Sequence, residues 1–534
     1  MSEAARTRTR GLWALAFVLP LALYGAWAAA FIRTGVGYEM DEALWTESAV
    51  YLLRGSGAPP FNHEPASWIR AAGRHWPLMI IPYVGATKAY ATAPLFAALG
   101  ISTETARLSA VVLAGLGIAG LSTLIAVRIG LLPAFLTGLF LAIHPSYLDL
   151  TVFDNGGTAV CMGAMGLLAL ALNHHLRRGT AASAFALGLA AGVAVWARAN
   201  LVWLLAASAA AGLLVFGRRA IPRARHVAAM LAGGILGTLP LIVYEIASRF
   251  GTLRFIEATR QPLGRALLAH RLRELTGVML SDREQKIIWG GSELPRWTLV
   301  FGAAMLAAVL LAAFRPAAAP PERWRRAFAL TALFLAAITV SSRLNIQQHH
   351  LVAVLPMAVA AIVALAAEAA SRRRAIVPWL AVLAAGFLVF APVEDLRIRR
   401  GLERTGGKRV FSSAIADLRG DLEAHPVPPD RLKILNWGFQ NPLYVISGGS
   451  LYGTELFWGA TRERSRRGLT WDEEIRDGGS FILYAFVMGP PDLSDGAAGF
   501  EEALRRYGGP KTVRIFRDRT GEDWARRITI EPSR

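Results

Sequence analysis

Long apolar stretches separated by short basic loops dominate the first 393 residues. Eleven stretches of about 16 to 22 residues carry few or no charges, and each approaches the roughly 20 residues that span about 30 Å of hydrocarbon. They are residues 11–32, 108–127, 129–148, 155–173, 179–197, 199–217, 227–244, 297–314, 327–342, 351–367 and 375–393. The pattern predicts an all-α polytopic membrane domain over residues 1–393 with about eleven transmembrane helices.

The first stretch also admits a second interpretation, a cleavable signal peptide, because it ends in Ala28-Ala29-Ala30. Its apolar run is longer than the roughly 7–15 residues typical of signal peptides. We therefore expect it to stay as the first membrane helix.

Arginine is distributed unequally over the short loops between the stretches. With a cytoplasmic N-terminus, the loops on that side hold fourteen Arg and the loops on the other side hold two, Arg198 and Arg343. The fourteen are Arg128, Arg177, Arg178, Arg218, Arg219, Arg223, Arg225, Arg315, Arg323, Arg325, Arg326, Arg372, Arg373 and Arg374. The positive-inside rule then predicts a multi-pass inner-membrane protein of a bacterial cell with its N-terminus in the cytoplasm and its C-terminus outside.

Three longer segments fall on the outer side in this plan. They are a loop over 33–107, a loop over 247–296 and a tail over 394–534. The apolar stretch 76–100 in the first loop is broken by prolines and predicts interfacial or re-entrant helices. The tail alternates strand-like runs at 432–435, 443–447, 481–487 and 512–516 with a helix-like run at 497–507, which predicts a small α/β soluble domain.

Composition agrees with a membrane protein. The 534 residues are 54% hydrophobic and 18% charged, with a mean hydropathy of +0.39. The net charge of +19 is spread between apolar runs instead of forming a stripe, so we expect no nucleic-acid partner. The single cysteine, Cys161, excludes an intramolecular disulfide and a metal site built from cysteines.

Acidic residues at the outer ends of the predicted helices are the candidate catalytic groups. Asp41 and Glu42 open a segment whose apolar residues cluster on one helical side, and Asp154 stands where the fourth stretch begins. One carboxylate of the adjacent pair can act as general base while the other organises the helix start. Asp41 and Asp154 are equally compatible with N-caps, so cap and catalyst stay open on spacing alone.

Cationic and aromatic residues on the same side are the candidate phosphate-binding groups. Lys88, Arg198 and Arg343 can each bind a phosphate, although snorkelling to lipid headgroups explains any single one. His349 and His350 can hydrogen-bond a phosphate or a sugar hydroxyl, or serve as ordinary interfacial polar residues. No metal-ligand spacing accompanies the two histidines, so we predict no metal site and no cofactor, without excluding a divalent metal.

Taken in order, these residues resemble the membrane-embedded GT-C glycosyltransferases, in particular glycosyltransferase family 39, which includes protein O-mannosyltransferases and the bacterial aminoarabinose transferase of lipid A. The matching pieces are Asp41-Glu42-Ala43, Leu52-Leu53-x-Gly55, Pro82-Tyr83-x-Gly85-x-x-Lys88, Gly100-Ile101-Ser102 with Arg107-Leu108, Asp154, Arg198-Ala199-Asn200, and His349-His350 with Pro356. The resemblance covers roughly residues 10 to 400.

The resemblance implies inverting transfer of a sugar from a polyprenyl-phosphate donor to an acceptor glycan, lipid or protein at the outer membrane surface. Asp41 would take the acceptor proton, with Glu42 and Asp154 as the other acidic candidates. Lys88, Arg198 and Arg343 would hold the lipid phosphate, and Tyr83, His349 and His350 complete the implied substrate site. Trp45 stands where many relatives have Tyr.

Two other functions stay open from the sequence. One is a transporter or flippase for a lipid-linked sugar, although such proteins usually place ionisable sites near the bilayer midplane. The other is a non-catalytic protein that binds and presents the lipid-linked sugar.

Overall fold

The computed structural model describes residues 3–55, 65–281, 288–291, 297–372, 375–456, 470–487 and 495–532. Its larger part is helical and its C-terminal part is a mixed sheet flanked by helices. The helices up to the end of the membrane domain are α1 (Glu3–Ile32), α2 (Met40–Leu44), α3 (Glu47–Arg54), α4 (Thr87–Leu99), α5 (Thr103–Arg128), α6 (Leu131–Ala142), α7 (Pro145–Val152), α8 (Thr158–Arg178), α9 (Ala181–Ala197), α10 (Leu201–Phe216), α11 (Ala224–Ala247), α12 (Gly251–Ala258), α13 (Arg265–Leu280), α14 (Trp297–Phe314), α15 (Pro320–Ser341), α16 (Gln348–Leu351), α17 (Val354–Ser371) and α18 (Val377–Thr405).

The predicted membrane stretches all coincide with helices. In the described residues, seven helices are long and apolar enough to cross a membrane, and the bent pair α6 and α7 makes an eighth if it forms one span. Three shorter apolar helices, Ala16–Ile32, Ala181–Ala197 and Val300–Phe314, account for the remaining predicted stretches. The all-α polytopic membrane fold is therefore confirmed.

Large apolar side chains cover the outside of the helical bundle. On a water-soluble protein such a surface would be an aggregation hazard, whereas in a bilayer it is the surface that contacts lipid tails. Exposed examples are Leu214, Leu231, Ile235, Val300, Val382 and Val389.

The structure corrects three details of the predicted plan. The third stretch is not one straight helix, because α6 and α7 meet at 61°, with the bend at His144 before Pro145, where helical backbone is disfavoured. Within the stretch 76–100 only α4 is helical, since residues 76–85 consist of short antiparallel strands and the turns between them. α18 runs continuously past residue 393, the predicted boundary of the membrane domain, to Thr405.

These short strands form two hairpins. They are β1 (Trp68–Ala71), β2 (Arg74–Pro77), β3 (Met79–Ile81) and β4 (Val84–Gly85). Val84 also pairs with Arg198 in an isolated antiparallel bridge. The second hairpin is thereby attached to the turn between α9 and α10.

Close glycine packing fixes the helix that leads into that turn. α9 packs along α11, and a Cβ at Gly188 or Gly192 would collide with the α11 backbone. A Cβ at Gly233 or Gly237 would collide with the α9 backbone. Small residues at this spacing let two membrane helices approach closely, so the α9–α10 turn has a defined position.

The C-terminal part is a small α/β unit, as predicted, and its sheet has helices on both faces. Its elements are α19 (Ala414–Ala424), β5 (Leu432–Ile434), α20 (Gln440–Ile446), β6 (Thr454–Glu455), α21 (Trp471–Asp477), β7 (Gly479–Tyr484), α22 (Asp495–Arg506), β8 (Lys511–Arg517) and β9 (Asp523–Ile530). The strand order is β6-β5-β7-β9-β8, with β5 parallel to both of its neighbours and the β7–β9 and β9–β8 pairs antiparallel.

Side chains alternate across the central strand β7 and build one core on each face of the sheet. Ile482 and Tyr484 face α19 and α20, whereas Phe481 and Leu483 face α21 and α22. The predicted strand at 443–447 is wrong, since most of this segment belongs to α20.

The C-terminal unit is bonded to the membrane domain at several points. Arg519 donates from Nη1 to the carbonyls of Thr34 at 3.1 Å and Glu403 at 2.8 Å. Arg54 donates to the Gly448 carbonyl at 3.1 Å. These contacts hold the unit over the segment that follows α1.

Candidate functional site

A cavity of about 930 Å³ lies between the end of the helical bundle and the C-terminal unit. It collects residues from the segment after α1, the β3–β4 hairpin, the α9–α10 turn, α12, and the segment after α15. The residues that line it are Asp41, Leu44, Trp45, Ile81, Tyr83, Gly156, Ala199, Asn200, Val202, Trp203, Phe255, Ile256, Thr259, Arg260, Ser342, Arg343, Leu344, Asn345, Ile346, Gln347, His349, His350 and Trp437. Five of the nine predicted site residues are therefore on its wall.

Asp41 is presented to this cavity by the short helix α2. The N-cap of α2 is Glu39, whose carboxylate accepts from the Asp41 backbone N–H at 2.7 Å, while Glu42 reaches back to the Glu39 N–H at 3.3 Å. The alternative of Asp41 as the cap is therefore wrong. Because Glu39 makes this bond, the Asp41 side chain is left to face the cavity.

The Asp41 carboxyl is half-buried, and its surroundings shift its acidity. Burial is the largest influence and raises its pKa to about 6, with Asp154 acting in the same direction, while the Gly156 backbone N–H and Arg198 lower it. A carboxyl with this pKa is mostly ionised near neutral pH and can still accept a proton, which suits a general base.

Glu42 lies away from the cavity in a buried ion pair. Arg107 donates from Nε and Nη2 to its two carboxylate oxygens, both at 2.8 Å. The same guanidinium donates to the carbonyls of Val36 at 3.1 Å and Gly37 at 2.8 Å. Glu42 thus organises the start of α2 and ties it to α5.

Asp154 and Lys88 form a second buried pair behind the cavity wall. Lys88 Nζ donates to Asp154 Oδ2, and Asp154 Oδ1 accepts from the Ala159 N–H at 2.6 Å in the first turn of α8. Asp154 has a left-handed backbone with φ +43°, and it is only 1% exposed. The pair fixes the turn that carries Gly156.

Arg198 also lies behind the wall, fully buried. Nη1 donates to the His349 carbonyl at 3.2 Å, and Nε and Nη2 have no hydrogen-bond partner in the described part of the chain. Its charge acts on Asp41 across the cavity wall. Next to it, the Ala199 N–H donates to the Tyr83 carbonyl at 2.9 Å.

An aromatic row forms another side of the cavity. The Tyr83 ring stacks between Phe255, with centroids 5.3 Å apart, and His350, at 6.2 Å. The rings of His349 and His350 are 4.1 Å apart. Both imidazoles are buried, and His350 Nδ1 accepts from the Gln347 N–H at 3.2 Å.

Arg343 is exposed and lies on a segment that other residues hold in place. The buried Arg271 donates to the carbonyls of Val340, Ser342 and Leu344, and the Gln261 N–H donates to the Arg343 carbonyl at 2.7 Å. These bonds keep the backbone of residues 342–345 at the cavity.

The wall residues that were not predicted include Phe255, Arg260 and Trp437. The first two come from the outer loop 247–296 and the third from the C-terminal unit, far from the other site residues in sequence. Of the three, only Trp437 carries a signal in the sequence, the aromatic run 436–442, which is compatible with sugar binding or with a core. Phe439 in this run is fully buried in the core of the C-terminal unit, whereas Trp437 packs partly against that core and also reaches the cavity wall.

In the described part of the chain, no three His, Cys, Asp or Glu side chains come together as ligands for a metal ion. That the protein has no metal site and no cofactor stays a prediction from the sequence.

Comparison with known proteins identifies the fold. No protein-family model matches the chain, and no curated protein is significantly similar in sequence. The structure is similar to that of ArnT from Cupriavidus metallidurans bound to undecaprenyl phosphate, with a TM-score of 0.61 and 16% identity over 97% of this chain and 99% of ArnT. The archaeal oligosaccharyltransferase AglB from Archaeoglobus fulgidus, in complex with an inhibitory peptide and a dolichol-phosphate, matches with a TM-score of 0.48 and 13% identity over 92% of this chain and 72% of AglB. The likeness to ArnT confirms the GT-C fold that the sequence resemblance implies.

Proposed function

We propose that this protein transfers a sugar from a polyprenyl-phosphate-linked donor to an acceptor glycan, lipid or protein on the outer face of the cytoplasmic membrane, with inversion and with Asp41 as general base. The observation that carries the proposal is the half-buried Asp41 carboxyl in the wall of a largely apolar cavity that also presents Arg260 and Arg343. The undecaprenyl phosphate bound to the structurally similar ArnT supports a lipid-linked donor.

The side of the membrane on which we place the cavity follows from which ends of the helices carry the basic turns. The cavity residues sit at one end of the bundle, in the turns after α1, α9 and α15. The Arg-rich turns after α5, α8 and α10 lie at the opposite end. Because basic loops favour the cytoplasm, the cavity and the C-terminal unit are assigned to the outer side.

In the proposed reaction, an acceptor hydroxyl or amine loses its proton to the Asp41 carboxylate while its oxygen or nitrogen attacks the anomeric carbon of the sugar. The bond between that carbon and the phosphate oxygen breaks, and polyprenyl phosphate leaves with the electron pair. Attack from the face opposite the phosphate inverts the anomeric centre. Arg343 and Arg260, with Arg198 behind the wall, stabilise the negative charge that grows on the phosphate.

The other predicted residues have supporting roles in this proposal. Lys88 is already paired with Asp154, and the two hold the turn from which Gly156 hydrogen-bonds Asp41. Glu42 and its partner Arg107 fix α2. Tyr83, His349 and His350 line the cavity and contact the donor. We assign base chemistry to Asp41 alone, because Asp154 and Glu42 are held in ion pairs away from the cavity.

The test is release of polyprenyl phosphate from a panel of polyprenyl-phosphate sugars by the purified protein in detergent, with acceptor-containing membrane extract. We expect release by the wild type and none above background by Asp41→Asn, with unchanged thermal unfolding. The matched control is Asp430→Asn, the same change at an exposed carboxyl of the C-terminal unit, which should release at the wild-type rate.

Two results would contradict the proposal. Wild-type turnover by Asp41→Asn would remove this residue as the base. Equal binding of the lipid by both proteins with no release from either would favour a transporter or a presenting protein.

A further inference from the structure

Trp437 is the one residue of the C-terminal unit on the wall of the cavity, in the described part of the chain. It is half-buried, between neighbours in the sequence that are almost completely buried. Part of this side chain packs against the core of the C-terminal unit, and the rest of its surface is open to the cavity. Tryptophan is common at binding sites because it offers a large apolar surface with few rotatable bonds.

The backbone around Trp437 is held from both sides. Asn436 Oδ1 accepts from the Tyr484 N–H at 2.8 Å, and the Phe439 ring stacks on Tyr484 with centroids 4.1 Å apart. Gly438 has φ +108°, and a Cβ there would lie 2.7 Å from the Tyr484 hydroxyl. Trp437 is thus carried on a turn with little freedom to move.

The position of this turn relative to Asp41 is also fixed. α20 begins three residues after Trp437 and packs against α2, which carries Asp41, and against α3. Asn441 at its start donates from Nδ2 to the Glu47 carboxylate. The aromatic ring and the carboxylate therefore belong to one framework around the cavity.

A second observation on the same cavity points to a hydroxylated ligand. Asn200 lines the wall, and its side-chain Oδ1 is buried without a hydrogen-bond partner in the residues described. Such an acceptor is costly unless a ligand or water supplies a donor. Sugars combine hydroxyl donors with an apolar face of ring C–H bonds, so one ring can satisfy both an amide oxygen and an aromatic platform.

We propose that Trp437 and Asn200 form a sugar subsite, in which the indole stacks on the ring of the transferred sugar or of a sugar acceptor and the amide accepts a ring hydroxyl. This inference rests on the proposed function and gives the C-terminal unit a direct part in substrate binding. Trp437 contacts the sugar and takes no part in proton transfer.

The first experiment compares binding of two lipids by the full-length protein in detergent. One is bare polyprenyl phosphate, and the other is the same lipid carrying the sugar that the wild type transfers. The variants are Trp437→Leu, which keeps apolar bulk without the ring, Trp437→Phe, which keeps an aromatic face, and Asn200→Ala. The control is Tyr452→Ala, which removes an exposed aromatic of the same unit that is not on the cavity wall.

If the subsite holds the donor sugar, Trp437→Leu and Asn200→Ala bind the sugar-loaded lipid about five- to tenfold more weakly, as expected for the loss of an aromatic contact or a hydrogen bond. Both bind the bare lipid like the wild type, and Trp437→Phe is intermediate. If it holds the acceptor sugar, both lipids bind normally and the amount of acceptor extract needed for half-maximal release rises by a similar factor.

The inference is overturned if the wild type releases polyprenyl phosphate while folded Trp437→Leu and Asn200→Ala match it in both lipid affinities and in acceptor requirement. That result leaves the proposed function intact. Absence of release by the wild type is a failure of the proposed function itself. Should Trp437→Leu not fold, Trp437→Phe and Asn200→Ala decide the question.

Discussion

The protonation of Asp41 makes the pH dependence of transfer a sharp test of its role. Only the ionised carboxylate can take the acceptor proton, so kcat/KM is expected to fall about tenfold per pH unit below a pKa of about 6. An ordinary aspartate, with a pKa of 3.8, would keep full activity down to about pH 5. The wild type should retain only about a tenth of its activity at that pH.

The decline of kcat/KM at low pH is the acid limb of the profile. Two substitutions should move this acid limb in opposite directions. Arg198 lowers the Asp41 pKa and Asp154 raises it, so Arg198→Met shifts the limb to higher pH and Asp154→Asn shifts it to lower pH. A charge interaction of about 1 kcal/mol corresponds to about 0.7 pH unit, which is the size of shift we expect from each. In Asp154→Asn the unpaired Lys88 charge acts in the same direction as the loss of the carboxylate.

The assay is the initial rate of polyprenyl phosphate release at low donor concentration, measured from about pH 5 to about pH 8, so that the limb reports the free enzyme. Asp430→Asn should reproduce the wild-type profile. A wild-type kcat/KM that stays level down to about pH 5, or a decline at low pH that stays in place in both Arg198→Met and Asp154→Asn, would refute Asp41 as the titrating base.

Two structural predictions complete the set. Glu42→Gln leaves the buried Arg107 charge uncompensated and should destabilise the fold by about 3–5 kcal/mol, seen as a lower Tm in detergent; an unchanged Tm would show that the pair does not hold α2. Gly156→Ala should reduce turnover strongly, because its Cβ would collide with the His349 ring, whereas Gly179→Ala, with the same φ of +61° and open space around it, should match the wild type in turnover. Equal activity of the two glycine variants would show that the cavity tolerates an added methyl group at position 156.

The membrane helices were predictable because hydrocarbon thickness imposes one length and one composition on every span. The short helices and strands outside the bundle were not predictable in this way. Residues 443–446 read Leu-Tyr-Val-Ile, a sequence with strand propensity, yet they form most of α20, which packs on α2 and α3. Here tertiary packing outweighs local preference.

The sequence predicted only part of the candidate site. Asp41, Arg343 and the two histidines reach the cavity as expected. The sequence did not indicate Glu39 as the N-cap of α2, because glutamate is not a preferred N-cap residue. Phe255, Arg260 and Trp437 come from segments whose place in the fold no local pattern reveals.

The two buried ion pairs behind the cavity are best explained by positioning. Replacing a buried pair with apolar side chains is often neutral or stabilising, so stability alone gives little reason to keep Glu42–Arg107 and Lys88–Asp154. Each pair instead ties a short segment next to the cavity to a longer helix. Glu42–Arg107 joins α2 to α5, and Lys88–Asp154 joins the turn before α8 to α4. Asp41 lies on α2, and its hydrogen-bond donor Gly156 lies on the turn before α8. The two pairs therefore set the geometry of the proposed base. They do so from outside the cavity, where the donor lipid does not compete for their charges.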